Sequence, residues 1–331
     1  MSPEIVVAAI LVVSIIIYAL LGGADYGGGV WDLLAFGERK EEQRILISHS
    51  IGPVWEANHI WLILALVILF VAFPKAYSIL SVALHIPLTI MLIGIVLRGA
   101  SFAFRSYGNI EERTQKLWGL VFSISSIITP IFIGVNVGAI VSGRIVYEEG
   151  TLKTNFFDSW LGIFPLATGV FTLSLFALLA ATYLTLEAKD SKQLQEDFRL
   201  RALISQIFVV AIAFLVLVLA KEEAPRIYEG MTSSWYSTYF HITTASCIFG
   251  AIASLWKRKF REARIFVAGQ TVLIILGCIV SQFPFIIVPS VTIQSAAAPR
   301  LTLELLIGGL MIGSIVLFPS IYYLFRIFKS Q

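Results

Sequence analysis

The sequence predicts an all-α, polytopic membrane protein with nine transmembrane helices, and three observations carry that prediction. Apolar residues fill 58% of 331 positions and charged residues only 14%, too few charges to cover a water-facing surface of this size. The apolar residues are gathered into long runs near or above the roughly 20 residues that cross a hydrocarbon core. The basic residues fall in short stretches between those runs, where they act as topology determinants. A formal net charge of +3 is therefore no sign of nucleic acid, and no nucleic-acid motif accompanies it.

In chain order the expected spans are about 4–24, 55–73, 77–104, 117–142, 159–186, 202–220, 237–255, 265–283 and 302–325. The first apolar run, Ile5 to Leu21, follows no basic region and leads into no soluble domain, so it is read as a retained span and not a signal peptide. The connecting loops are too short to fold separately, which leaves residues 1–331 as a single integral-membrane domain. Placing the N-terminus outside leaves only Lys75, Arg144, Lys153, Lys221, Arg226 and Arg300 outside, and puts the other 18 of the 24 basic residues inside. That asymmetry predicts an N-out, C-in chain with an odd number of spans. The inner stretches alternate in sign, as in Glu38-Arg39-Lys40-Glu41-Glu42-Gln43-Arg44, and read as solvated connectors.

Arg44-Ile45-Leu46-Ile47-Ser48 and Arg201-Ala202-Leu203-Ile204-Ser205 each follow a span and a charged loop, with four spans between them. This suggests an internal repeat of 1–142 and 155–283 with a final helix at 302–325, hence two four-helix bundles plus one peripheral helix.

Gly22-Gly23-Ala24-Asp25-Tyr26-Gly27-Gly28-Gly29-Val30-Trp31-Asp32 is not a dinucleotide fingerprint, because no strand precedes it. Its glycines read as close helix packing. Asp25, a carboxylate near the inner end of a span, reads as functional because a charge there is costly.

Gly52-Pro53-Val54-Trp55-Glu56-Ala57-Asn58-His59-Ile60-Trp61 opens the second span. A carboxylate, an amide, an imidazole and two indoles make a poor lipid-facing surface but a sensible proton-accessible or protein-facing one. In a helix Glu56 and His59 are three residues apart and share a face. Trp55 would restrict hydration there, and Asn58 or His59 would continue a hydrogen-bonded route. Arg98 and Arg105 bracket Arg98-Gly-Ala-Ser-Phe-Ala-Phe-Arg105 at the inner end of the third span, with Arg98 a candidate counter-charge for Asp25 or Glu56. Trp61 joins Trp55, Arg98 and Arg105 as a structural or charge-pairing candidate.

Pro74, Pro130, Pro165, Pro284, Pro289 and Pro319 read as kinks and caps. Cys247 and Cys278 lie in apolar runs and read as small hydrophobes. The four histidines, His49, His59, His85 and His241, form no metal-ligand spacing such as His-x-x-x-His, so no cofactor or metal is assigned to this chain.

Taken together, Arg44-Ile-Leu-Ile-Ser48, Gly52 to Trp61, Phe73-Pro74, Arg98 to Arg105 and Phe283-Pro-Phe-Ile-Ile-Val-Pro-Ser290 resemble subunit II of the cytochrome bd quinol oxidases, in one order over essentially the whole chain. The resemblance implies a nine-helix companion of a haem-bearing subunit I in a terminal oxidase that oxidises quinol and reduces oxygen to water. It implies that haem b, a third haem (often haem d) and the quinol site belong to subunit I, while this subunit supports assembly and helps line a proton or oxygen route. Small accessory membrane subunits and membrane lipid are further expected partners. The expected location is the bacterial cell membrane, or an internal respiratory membrane in some hosts.

Two departures stand out. Many members read Asp-Gly-Phe-Asp where this chain has Gly22-Gly23-Ala24-Asp25, so the first acid is missing; many also carry Asp after the tryptophan where this chain has Glu56. The expected proton route is Glu56, Asp25, His59 and Asn58. Two readings compete with the oxidase subunit: a stand-alone proton-coupled transporter, which nine spans with acids near one face would also allow, and a purely structural assembly protein.

Overall fold

A computed structural model describes residues 2–52, 55–107 and 112–329. The chain runs α1 (Pro3–Leu33), α2 (Lys40–Ile51), α3 (Trp55–Ala72), α4 (Pro74–Ala83), α5 (His85–Tyr107) and α6 (Glu112–Val141) into a hairpin of β1 (Tyr147–Glu148) and β2 (Thr151–Leu152). It continues as α7 (Ile163–Glu187), α8 (Lys192–Glu223), α9 (Pro225–Thr232), α10 (Ser237–Trp256) and α11 (Phe260–Gln282) into a hairpin of β3 (Phe285–Ile287) and β4 (Val291–Thr292). A single turn, α12 (Ile293–Ala296), leads to α13 (Arg300–Lys329). Both hairpins are antiparallel. Among the described residues nine helices are long and apolar enough to cross a membrane: α1, α3, α5, α6, α7, α8, α10, α11 and α13.

Several boundaries differ from the sequence reading. The first helix does not stop near residue 24 but continues through the glycine-rich stretch to Leu33. Glycine is a poor helix former in isolation, but here tertiary packing decides. A Cβ on Gly27 would overlap the carbonyl of Phe176 on α7, and one on Gly29 would overlap Ser126 on α6. Only glycine lets α1 come that close to both neighbours. Trp31 fastens the same contact by donating its indole N–H to the Ala177 carbonyl at 2.8 Å.

The expected third span, 77–104, is two helices that meet at Leu84. Pro87 lies in the first turn of α5, where its missing N–H is tolerated, whereas it would interrupt a continuous helix. Pro74 and Pro225 likewise open α4 and α9, and Pro130 and Pro319 lie inside α6 and α13. Pro53 and Val54 of the motif before α3, and residues 108–111 of one expected inner loop, lie outside the described residues.

The charged stretch expected as a solvated connector is more than that. Arg39 makes a bidentate contact with Asp197 on α8 (2.6 and 3.0 Å), and Gln43 donates to the same carboxylate at 2.9 Å. Arg201 donates to Gln43 Oε1 at 2.7 Å, with its guanidinium over the Trp31 and Phe198 rings. The Asp197 carboxylate holds the Arg39 guanidinium above its ordinary pKa. A polar network thus ties α2 to α8, and Arg201 is an internal residue of one continuous 32-residue helix.

Helix α1 packs on α3, α6 and α7; α7 packs in turn on α6, α8 and α11; α5 lies on α6 and α10 on α11. α13 rests mainly on α1 and α3 and leaves most of its surface exposed. One apolar core, including Phe73, Ile145, Trp160 and Val291, closes the hairpin end. Another, including Ile47, Phe122, Phe198 and Leu255, closes the opposite end. Hydroxyls inside the spans are satisfied locally. Ser126 and Thr129 on α6 donate to the carbonyls of Phe122 and Ser125 at 2.7 and 2.8 Å, which removes the cost of burying them in apolar surroundings.

Candidate functional site

The candidate residues gather where the last turns of α1 and α5 meet the first turns of α3 and α6. Position along each helix decides which of them meet. On α1, Asp25 and Asp32 are seven residues apart, two helical turns on one face. Both are buried, with 8% and 2% of their surface exposed. On α3, Glu56 and Asn58 are two apart and therefore point away from each other. Asn58 faces the interior and Glu56 is exposed.

Asn58 donates its side-chain N–H to Asp25 Oδ2 at 2.6 Å, joining α3 to α1. His59, the next residue, turns into an aromatic setting with Tyr18, Tyr26 and Trp55 at ring-centroid distances of 6.0, 6.2 and 6.2 Å. Its Nδ1 is buried without a partner. The Tyr18 and Tyr26 hydroxyls meet at 3.1 Å. Glu56 makes no hydrogen bond or ion pair among the described residues, His59 included. Trp55 packs on Phe102 (5.8 Å) and Trp61 is buried near Phe318 of α13 (6.4 Å).

Arg98, expected as a counter-charge, is 1% exposed. Its guanidinium lies over the rings of Tyr26 (4.8 Å) and Phe122 (5.3 Å), and neither Nε nor Nη2 has a partner. Aromatic faces supply part of the stabilisation that a buried cation requires. Arg105 serves Asp32 instead: its Nη1 lies 3.1 Å from both carboxylate oxygens, and Ser123 Oγ donates to Oδ2 at 2.9 Å. Arg44 adds a bond from Nε to the Asp32 carbonyl at 3.3 Å.

A cavity of about 70 Å³ reaches the Asp25–Asn58 pair from between α2, α7 and α11; Ser50, Tyr183, Glu187 and Arg264 are among its walls. Among the described residues no group of three His, Cys, Asp or Glu side chains converges as metal ligands.

Sequence reasoning singled out Asp25 and Arg105 but not Asp32. The seven-residue spacing from Asp25 on one helix was the available signal. It also passed over Asp197, Glu187, Tyr183 and Arg264, whose roles depend on helices brought together by packing and are not visible in local sequence.

A family model described as cytochrome bd terminal oxidase subunit II matches residues 3–328. The chain is similar to the putative cytochrome bd menaquinol oxidase subunit II of Bacillus subtilis (strain 168), with 24% identity over 99% of this chain and 97% of that protein. It is also similar to the cytochrome bd ubiquinol oxidase subunit 2 of the same organism, with 25% identity over 93% of this chain and 91% of that protein. Similarity to the cytochrome bd-I ubiquinol oxidase subunit 2 of Escherichia coli (strain K12) reaches 31% identity, over 50% of this chain and 44% of that protein. Among solved structures, a chain of the bd oxidase from Geobacillus thermodenitrificans superposes with a TM-score of 0.78 at 18% identity, covering 99% of each chain, a likeness of fold.

Proposed function

The chain belongs to the cytochrome bd terminal oxidase subunit II family, and from that premise we propose how it serves a quinol-oxidising, oxygen-reducing complex. The observation that carries the assignment is the family match across residues 3–328. It replaces the stand-alone transporter that nine spans alone would allow. The chain is a multi-pass bacterial membrane protein and the companion of a subunit I, which in our reading holds haem b, the third haem and the quinol site.

The face offered to subunit I is, in this reading, the outer stripe of α3 with the adjoining exposed side of α13. Glu56, Ile60, Ile63, Val67 and Phe70 follow one another at helical spacing and are all exposed. Apolar residues would suit lipid, but a carboxylate at the head of the stripe would not, and a protein surface supplies the partner it needs. Proton movement is assigned to Asp25, Asn58, His59 and Glu56. Support comes from the 2.6 Å bond between Asp25 and Asn58 and from the position of Glu56 across the first turn of α3, on the side toward the proposed partner.

The arrangement further supports a duplicated chain of two four-helix bundles and a peripheral α13. A long helix, a second long segment, a short helix opened by proline, two more long helices and a hairpin occur in that order twice. In the first half the second segment divides into α2 and α3; in the second it is the unbroken α8. The 18 inside basic residues support N-out, C-in. Purification in mild detergent tests the assignment: haem and a second polytopic chain are expected to copurify. A colourless single chain that moves a solute would overturn it. Reporter fusions in the loops near residues 75, 150, 228 and 292 and in the stretch 187–200 test the sidedness, with both termini on one side as the outcome that reverses it.

A further inference from the structure

The cavity that ends on Asp25 and Asn58 has a direction. Glu187 is the last residue of α7, Arg264 lies in the second turn of α11, and Ser50 sits one residue before the end of α2. Glu187 and Arg264 mark the end of the molecule that carries the basic turns, while Ser50, at the far end of α2 from its charged first turn, lines the wall further in. Asp25 lies eight residues before the end of α1, roughly 12 Å deeper at 1.5 Å per residue. The walls come from both halves of the chain: Asp25, Ser50 and Asn58 from the first, Tyr183, Glu187 and Arg264 from the second. A volume of about 70 Å³ exceeds the roughly 10–15 Å³ that one water requires, and polar groups stand along it to hold more than one. Arg264 is partly exposed, with its guanidinium 4.4 Å from the centre of the Tyr183 ring, which fixes a cation beside the opening.

We propose that this seam between the two halves is the water inlet to Asp25 from the inner side, with Glu187 and Arg264 at its mouth and Arg264 restricting its width. The inference rests on the proposed sidedness and on Asp25 as a proton carrier. Water in the seam brings protons to the Asp25 carboxylate, and Asn58, bonded to that carboxylate, marks where the inlet ends against α3. The inlet therefore depends on contacts between the halves, chiefly α1 against α7, and neither half forms it alone.

The test uses the assembled complex in sealed vesicles of either orientation, with Cys247 and Cys278 replaced by alanine. Ser50→Cys and Ala24→Cys each put one thiol on the cavity wall, and a charged, membrane-impermeant thiosulfonate is the probe. Because a charged reagent does not cross hydrocarbon readily, both thiols are expected to react at least about tenfold faster from the inner side. Val13→Cys, on an exposed face of α1, serves as the lipid-facing control and is expected to stay unreacted. Arg264→Ala is expected to speed reaction at position 24, and modification at either position is expected to slow proton uptake. Reaction from the outer side, or none at both positions, overturns the inlet, as does full inner-side reaction with unchanged proton uptake while Asp25→Asn slows it. Normal proton uptake in Asp25→Asn, with inner-side reaction intact, sinks the proton reading of Asp25 and supports the inlet as a path for water.

Discussion

Asn58 and Asp25 hold α3 to α1 through one buried hydrogen bond of 2.6 Å, amide to carboxylate. A carboxylate with 8% of its surface exposed depends on such donors, because a buried acceptor deprived of one loses roughly 1–3 kcal/mol. Asn58→Leu is expected to lower the stability of the assembled complex by about that amount, read as a drop in thermal midpoint. Asn58→Asp, which sets a second carboxylate against Asp25, is expected to cost more than Asn58→Leu. An Asn58→Leu complex as stable as the parent would mean that Asp25 draws nothing from this bond.

Arg105 and Asp32 form a second junction, between α5 and α1. Asp32 is almost completely buried and Arg105 keeps a fifth of its side chain exposed. Removing one partner of a buried pair typically costs about 3–5 kcal/mol. Partial exposure and the remaining Ser123 donor put Arg105→Ala near the low end of that range. Arg105→Ala combined with Asp32→Asn is expected to recover part of the loss, since no buried charge is then left over. A double variant no more stable than Arg105→Ala, in thermal unfolding of the purified complex, would assign the loss to packing.

Of the glycines on α1 that face α7, Gly27 leaves the least room for a Cβ. Gly27→Ala puts a methyl group into the Phe176 carbonyl, and backbone cannot give way as a flexible side chain can. Overpacking of this kind costs typically about 1–3 kcal/mol. Gly308→Ala on α13, where an added Cβ meets nothing within 4 Å, is the contrasting case within this chain. Yield of assembled complex and thermal midpoint should fall for the first. Equal behaviour of the two would show that α1 and α7 tolerate separation.

How far the sequence could be read follows from the kind of information each element carries. Nine spans were legible because apolar runs of bilayer length are a local property, as in Ile163 to Glu187. The continuation of α1 through Gly22 to Leu33 was not, because glycine propensity points the other way and only contacts with Phe176 and Ser126 reverse it. The break at Leu84 was hidden inside an apolar stretch, although Pro87 marked it. At the site, Asp25, Asn58 and Arg105 were identifiable as polar groups in apolar surroundings. Their pairing was not, since Asn58 reaches Asp25 and Arg105 reaches Asp32 only once the helices are packed. Asp197, Glu187 and Arg264 stand at helix ends rich in charge, where one charged residue looks like the next until helices distant in sequence are packed together.

Histidine replacements test which chain binds haem. His85 Nδ1 is paired with the Val82 carbonyl at 2.9 Å and His241 Nε2 with the Met231 carbonyl at 2.6 Å. His59 is enclosed by aromatic rings and His49 lies exposed on α2. Replacing each of the four singly with alanine or glutamine is expected to leave the haem spectrum of the assembled complex unchanged. Loss of one axial-ligand signature on replacing any one of them would assign a haem ligand to this subunit.

Glu56 gives the sharpest prediction. It stands two residues before Asn58, so the first turn of α3 separates its carboxylate from the Asp25–Asn58 pair. In a complex with subunit I covering the α3 stripe, the carboxylate would lie at the boundary between the chains, where it can take a proton from the interior route and pass it across. Glu56→Gln keeps size and hydrogen-bonding capacity but cannot carry the proton. It is expected to retain assembly and haem content while slowing turnover coupled to proton uptake by about a hundredfold, the low end of what a positioned proton donor contributes. Glu56→Asp, shorter by one methylene but still ionisable, is expected to keep more activity. The measurement is oxygen consumption per assembled complex together with time-resolved proton uptake in reconstituted membranes. An anchoring role predicts a different pattern: Glu56→Gln would weaken association with subunit I and leave proton kinetics normal in the complexes that do form. Normal kinetics of that kind would remove Glu56 from the route and leave it a contact residue.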